Sequence, residues 1–127
     1  MPGRITVSRT FGDVEAKVKS LGGIKGAVIA QPEIVNFEIK ANHDFIILAS
    51  DGIFDTINNQ DSILTVWLTK LQRPMLDIHN ICGLSIENLF SNAIKRSSPD
   101  NISAIMIAFN NFNSKINSLG FHELAMS

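Results

Sequence analysis

The run FIILA at residues 45–49 is too short for a helix and carries no polar residue on either side of a pleat, so it reads as a strand covered on both faces. Such a strand is central in its sheet. A second run, ISAIMIAF at residues 102–109, has nearly the same character. Acids stand at matching ends: Asp51 follows the end of the first run, and Asp100 precedes the start of the second. If the two strands are antiparallel neighbours, both carboxylates share one rim of the sheet. Like charges held close are unfavourable unless a cation lies between them, and a hard divalent ion with oxygen ligands, magnesium or manganese, is the usual solution. Taken singly, Asp-Gly and Pro-Asp-Asn are common turn chemistry, so a bare turn is the competing reading of each.

The rest of the chain supplies helices and further short strands. Alternation over residues 4–8 predicts a strand, Gly12 and Asp13 a turn, and residues 14–20 a short helix. Three glycines in residues 20–26 predict a mobile loop. Residues 27–30 and 34–39 read as strands broken at Pro32, which cannot donate to a ladder. Asn58 or Asn59 caps a helix that Pro74 stops, with Ile63, Leu64, Trp67, Leu68 and Leu71 as its core stripe. A second helix is expected over residues 85–97, capped by Ser85, with Ile86, Leu89, Phe90, Ala93 and Ile94 on one face. Beyond residue 110 the composition turns polar, and the tail of residues 111–127 is expected to be loose or peripheral.

Charge and cysteine usage narrow the classes of function. Eleven basic and twelve acidic residues give a formal net charge of −1, which points to neither nucleic acid nor an anionic membrane as partner. No segment approaches the roughly 20 apolar residues of a membrane span, and no apolar run of signal-peptide type opens the chain. Cys82 is the only cysteine, so no internal disulfide forms; this fits a reducing compartment, cytoplasmic or nuclear. A small buried hydrophobe is its expected role. His43, His79 and His122 lack the paired spacing of zinc ligands.

Four stretches carry a resemblance: SRTFGD at residues 8–13, AQPEI at 30–34, FIILASDGIFD at 45–55 and PDNIS at 99–103. In that order, they look like the C-terminal half of the metal-dependent type 2C (PPM-type) protein serine/threonine phosphatases. The resemblance implies an α+β fold, an antiparallel β-sandwich flanked by helices, of which this chain supplies about half. It implies that Asp51 and Asp100 match two acidic ligands of a binuclear Mg2+ or Mn2+ centre, and that Asp55 matches an acid linked to a weaker third metal. Arg9, Gly12, Asp13 and Asn101 match residues that support the site rather than ligate, and the loop at 20–26 falls where the family carries a variable flap linked to substrate choice. The implied reaction is hydrolysis of phosphoserine or phosphothreonine in a protein substrate, with no phosphoenzyme, by a water that the ions orient for in-line attack. The motif DGIFDT is also similar to that of the haloacid dehalogenase-like phosphatases, but Ala49 stands where their nucleophilic Asp would be, and a methyl group cannot attack phosphorus.

The departures from the family are equally specific. Its N-terminal half supplies a phosphate-gripping arginine, an early acidic ligand and an Asp-Gly-His motif, and none of these has a counterpart here. Residues 1–110 are therefore expected to be the C-terminal portion of the phosphatase domain, a fragment or one piece of a split domain, inactive without its N-terminal half. Half a sandwich should leave strands such as Phe45–Ala49 uncovered on one side. The alternative is a non-catalytic phosphatase-like module that binds or regulates a partner.

Overall fold

The computed structural model describes residues 5–118, with side chains described to residue 114. The chain divides into two compact units, Met1–Glu38 and Ile39–Ser127.

In the first unit no described residue is buried. Its one α-helix is α1, Val14–Lys17, followed by a single 3-10 turn at Lys19–Leu21. Gly12 and Asp13 both take left-handed backbone, with φ of 72° and 49°, so the expected turn is present. Among the described residues, which exclude residue 4, the strands expected at 4–8, 27–30 and 34–39 are absent. Two isolated bridges stand in their place, Arg9 with Ile29 and Lys25 with Val28, the first closed by Thr10 N–H to Ile29 O at 2.9 Å and Ile29 N–H to Ser8 O at 3.0 Å. Alternating apolar residues make a strand only where a ladder partner and a covering layer exist. Within this unit Val7, Ile34 and Val35 have neither, and they are exposed.

The second unit is built on β1, Phe45–Ala49, which the sequence located correctly. A four-residue helix α2, Asp51–Phe54, follows, then α3, Asn59–Gln72, and α4, Ile78–Lys95. The chain then returns as β2, Ala104–Ala108, and ends its described part with α5, Asn110–Ser118. β1 and β2 pair antiparallel, in a register running from Phe45 opposite Ala108 to Ala49 opposite Ala104. Among the described residues they form the only sheet. The architecture is thus α+β, with a two-stranded antiparallel sheet and five α-helices among the described residues. Among the described residues, no helix is long and apolar enough to cross a membrane.

The helices cover one face of that sheet. Ile47, Ala49 and Ala104 pack against buried Ile53, Ile57, Leu89 and Ala93. Phe45, Met106 and Ala108 pack against buried Val66, Ile81 and Phe112. The strand period of two then sends Ile46, Leu48, Ile105 and Ile107 to the opposite face. Leu48 is 54% exposed, Ile105 61% and Ile107 46%, so β1 is covered on one face, not two.

Two helices differ from their sequence reading. On α3 the expected core stripe is only partly inward: Trp67 is half-buried and packs against Val66, Ile81 and Phe112, but Ile63, Leu64, Leu68 and Leu71 are exposed, while Ser62, Val66, Thr69 and Lys70 are buried. Beside the buried contact of Val66 with Ile81, part of the seam with α4 is polar, and its hydroxyls are satisfied. Thr69 Oγ1 donates to Thr65 O at 2.8 Å; Asn88 Nδ2 donates to Thr69 Oγ1 at 2.8 Å and Asn92 Nδ2 to Thr65 Oγ1 at 3.2 Å. Buried hydroxyls are tolerated because each has a partner. The N-cap of α3 is Asn58, which accepts from Asp61 N–H at 2.8 Å.

Helix α4 starts seven residues before the expected cap. Asp77 is the N-cap, accepting from His79 N–H and Asn80 N–H, and these bonds, led by the Asn80 amide, hold its carboxyl below the usual range. Ser85 instead lies buried inside the helix and donates to Ile81 O at 2.7 Å. Of the expected face, Leu89 and Ala93 are buried, but Ile94 is 66% exposed. Cys82, expected to be buried, is half-buried, and that burial pushes its thiol up.

The polar segment after residue 110 is ordered as α5 through Ser118, and the remainder of the expected loose tail lies outside the described residues. Phe112 is fully buried.

Candidate metal centre

The β1–β2 register brings the end of one strand beside the start of the other, and with them the two acid-bearing segments. Three small residues join the segments. Ser50 N–H donates to Ser103 O at 2.9 Å, completing the ladder past Ala49. The Ser50 hydroxyl donates to Asn101 O at 3.1 Å and accepts from Ser103 N–H at 3.1 Å. Ser50 is the N-cap of α2 by backbone geometry, yet its side chain makes no cap bond because it is engaged across the sheet instead. On the other side of Asp51, Ser98 Oγ donates to Gly52 O at 2.6 Å.

Gly52 sets how close the segments come. A Cβ at this buried position would sit 2.4 Å from Asn101 O and 3.1 Å from Ile102 Cγ2. Only glycine allows that approach. Asp51, in the first turn of α2, and Asp100, in the loop before β2, are thus fixed at one rim through their backbone neighbours.

Both carboxylates are exposed and hold short local bonds. Asp51 Oδ1 accepts from Gly52 N–H at 3.0 Å, and Asp100 Oδ1 accepts from Asn101 N–H at 2.7 Å. Each keeps its other oxygen for solvent or a cation. Asp55 closes α2 as its C-cap, donating its N–H to Asp51 O at 2.8 Å; four residues on, it lies on the same helix face as Asp51. Asn101 supports the rim through its carbonyl, which accepts from Ser50. Arg9, Gly12 and Asp13 lie in the first unit. There Arg9 donates to Gln31 O at 2.7 Å and pairs with Glu33 at 3.0 Å, while Asp13 is the N-cap of α1 without a side-chain cap bond.

Sequence reasoning missed Ser50, Gly52 and Ser98 as the residues that hold the rim together. The available signal was the Ser-Asp-Gly order itself, small residues on both sides of a carboxylate where two backbones cross. Among the described residues, no three side chains of His, Cys, Asp or Glu group closely enough to hold a metal ion. The rim offers hard oxygen donors, suited to a hydrated magnesium-type ion, which takes one or two carboxylates and keeps several waters.

The chain resembles known proteins over most of its length. The sequence profile of the family described as "Protein phosphatase 2C" matches residues 2–102. "Probable protein phosphatase 2C 27" of Oryza sativa subsp. japonica is 31% identical over 108 residues, covering 84% of this chain and 29% of the relative. "Probable protein phosphatase 2C 30" of Arabidopsis thaliana is 37% identical over 112 residues, covering 87% of this chain and 25% of the relative. "Probable protein phosphatase 2C 71" of Arabidopsis thaliana is 34% identical over 107 residues, 84% of this chain and 20% of the relative. The chain spans under a third of the length of these curated relatives. With a family match that takes in both acid-bearing segments, the chain belongs to the protein phosphatase 2C family.

Proposed function

We propose that this chain contributes one wall of a metal-dependent protein phosphatase site, acting on phosphoserine or phosphothreonine in protein substrates. The observation that carries the reading is the antiparallel register of β1 and β2, which sets Asp51 and Asp100 on one rim. Asp51 and Asp100 hold Mg2+ or Mn2+, with Asp55 as a ligand of a weaker third ion. Arg9, Asp13 and Asn101 support the site. The chemistry such ions supply is Lewis acidity towards phosphoryl oxygens and an activated water at neutral pH. The chain's own residues contribute negative charge at a fixed place, held by Ser50, Gly52 and Ser98 so that no reorganisation is needed during the reaction.

Further ligands come from a segment that these 127 residues do not supply, since no Asp-Gly-His motif occurs among them. Residues 1–110 then form the C-terminal portion of a sandwich domain, inactive by themselves. The open face of Leu48, Ile105 and Ile107 supports this, because a second sheet packs against such a face in a sandwich. A single cysteine supports a reducing compartment, cytoplasmic or nuclear.

The test uses the longest reading frame that contains this chain, assayed with a phosphothreonine peptide and Mn2+. Chelation abolishes turnover and added Mn2+ restores it. Asp51→Ala and Asp100→Ala each lower kcat/KM by about a hundredfold or more, since losing a direct ligand costs at least as much as losing an outer partner of one. Turnover unchanged by both substitutions contradicts the reading. Phosphopeptide binding without turnover, in a frame lacking Asp-Gly-His, replaces it with a non-catalytic module.

A further inference from the structure

Helix α2 is four residues long, too short to persist without tertiary support. Its apolar side is held by Ile53, which with Ile57 just beyond it packs against Leu89 and Ala93 of α4. Its polar ends are held by the turn that closes α4. There Ser97 takes left-handed backbone, with φ of 60°, and two bonds end the helix: Ser97 N–H to Ile94 O at 2.9 Å and Ser98 N–H to Ala93 O at 3.0 Å. This is the paired-bond helix stop usually built on glycine. The residues on either side of Ser97 reach opposite ends of α2. Ser98 Oγ meets Gly52 O at one end; at the other, Arg96 donates from Nη1 to Thr56 O at 2.9 Å, one residue past Asp55. Arg96 Nη2 donates to Asp61 Oδ2 at 2.7 Å, in the first turn of α3.

The two bonds of Arg96 act together. Asp61 fixes the guanidinium so that a second N–H faces Thr56 O, and the rigid fork of arginine suits two acceptors held apart. A lysine ammonium carries the charge but not the fork. The ion pair is half-exposed, with side chains 47% and 38% accessible, so its charge alone is worth little. What it supplies is direction. Asp51 directly follows Ser50, which is bonded across to Asn101 and Ser103, whereas Asp55 lies four residues from that anchor and next to Thr56. A swing of α2 about its Asp51 end therefore displaces Asp55 most. Packing of Ile57 fixes the depth of that end, and the bond to Thr56 O fixes its direction.

We propose that Arg96 is a positioning residue for the acidic rim: bridging Thr56 O and Asp61, it sets where the Asp55 carboxylate stands relative to Asp51. Its bearing on phosphate-ester hydrolysis rests on the phosphatase reading of the site; its hold on α2 does not.

The test begins with amide hydrogen exchange, read by NMR, in the metal-free 127-residue chain. Arg96→Gln speeds exchange of the Asp55 amide about fivefold to tenfold, the scale of a half-exposed, charge-assisted tether. The Ser50 amide, bonded to Ser103 O, is unchanged. Arg96→Lys does not restore the wild-type rate, and Asp61→Asn reproduces part of the effect. Lys95→Gln, which removes an exposed charge from the same helix end, has none. Unchanged exchange at Asp55 overturns the proposal; so does equal speeding at Asp55 and Ser50, which is general loosening. In the longest reading frame that contains this chain, assayed with Mn2+ and a phosphothreonine peptide, Arg96→Gln lowers kcat/KM several-fold, and lowers it no further in the Asp55→Ala background. Equal losses in both backgrounds contradict a role through Asp55. A frame without turnover removes the phosphatase reading and leaves the exchange result to decide the role of Arg96.

Discussion

Phe112→Ala lowers the stability of the second unit by about 3–5 kcal/mol, the cost of emptying a fully buried aromatic site. Phe112 is at 0% exposure in a segment whose composition reads as a polar tail. Its ring packs edge-on to Phe45 at 5.2 Å between centroids and to Trp67 at 5.2 Å, so it joins α5 to β1 and α3 at once. Each such aromatic pair adds roughly 0.5–1.5 kcal/mol beyond area burial. The substitution also removes the ring face beneath the Lys70 ammonium, leaving that charge still buried. Urea unfolding measures the effect. A loss below about 1 kcal/mol would show that α5 does not dock as described.

Gly52→Val costs about 3 kcal/mol, at or above the top of the ordinary range for overpacking. Helix propensity alone gives the opposite sign, since glycine is the poorer helix former by a few tenths of a kcal/mol up to about 1. Sterics win because the atom met at 2.4 Å is a backbone carbonyl oxygen, which cannot turn aside as a side chain would. Relief requires that α2 and the loop bearing Asp100 move apart, which breaks the Ser98 hydroxyl bond to Gly52 O and separates the two acids. Stability and cation affinity therefore fall together. A valine variant of unchanged stability contradicts the close approach.

What could be read from the sequence follows from how local each signal is. Phe45–Ala49 and the run ending at Phe109 were legible because a short, unbroken apolar stretch has few ways to be buried. Asp51 and Asp100 were legible because antiparallel pairing puts opposite ends of two strands together. The inward face of α3 was not. Buried Thr69 and half-buried Thr65 face inward because Asn88 and Asn92 on another helix bond their hydroxyls, and periodicity along one segment carries no information about a partner's amides. Of the apolar stripe of α3, Trp67 therefore packs inward while Ile63, Leu64, Leu68 and Leu71 lie on the exposed side. Phe112 was missed for a related reason, since one aromatic among Asn and Ser has no pattern to announce it. Ser50 and Gly52 act through backbone contacts with a segment some fifty residues away, which spacing alone does not reveal.

The central claim is that Asp51 and Asp100 act as one cation-binding rim, and paramagnetic broadening by Mn2+ in the isotope-labelled chain tests it most directly, because it detects even weak binding by a partial ligand set. The amide signals of Asp51, Asp55, Asp100 and Asn101 should broaden together at the first additions of Mn2+, and Asp51→Ala should remove the broadening from both segments. Broadening at neither segment, or at the Asp100 loop alone and unaffected by Asp51→Ala, would contradict the account.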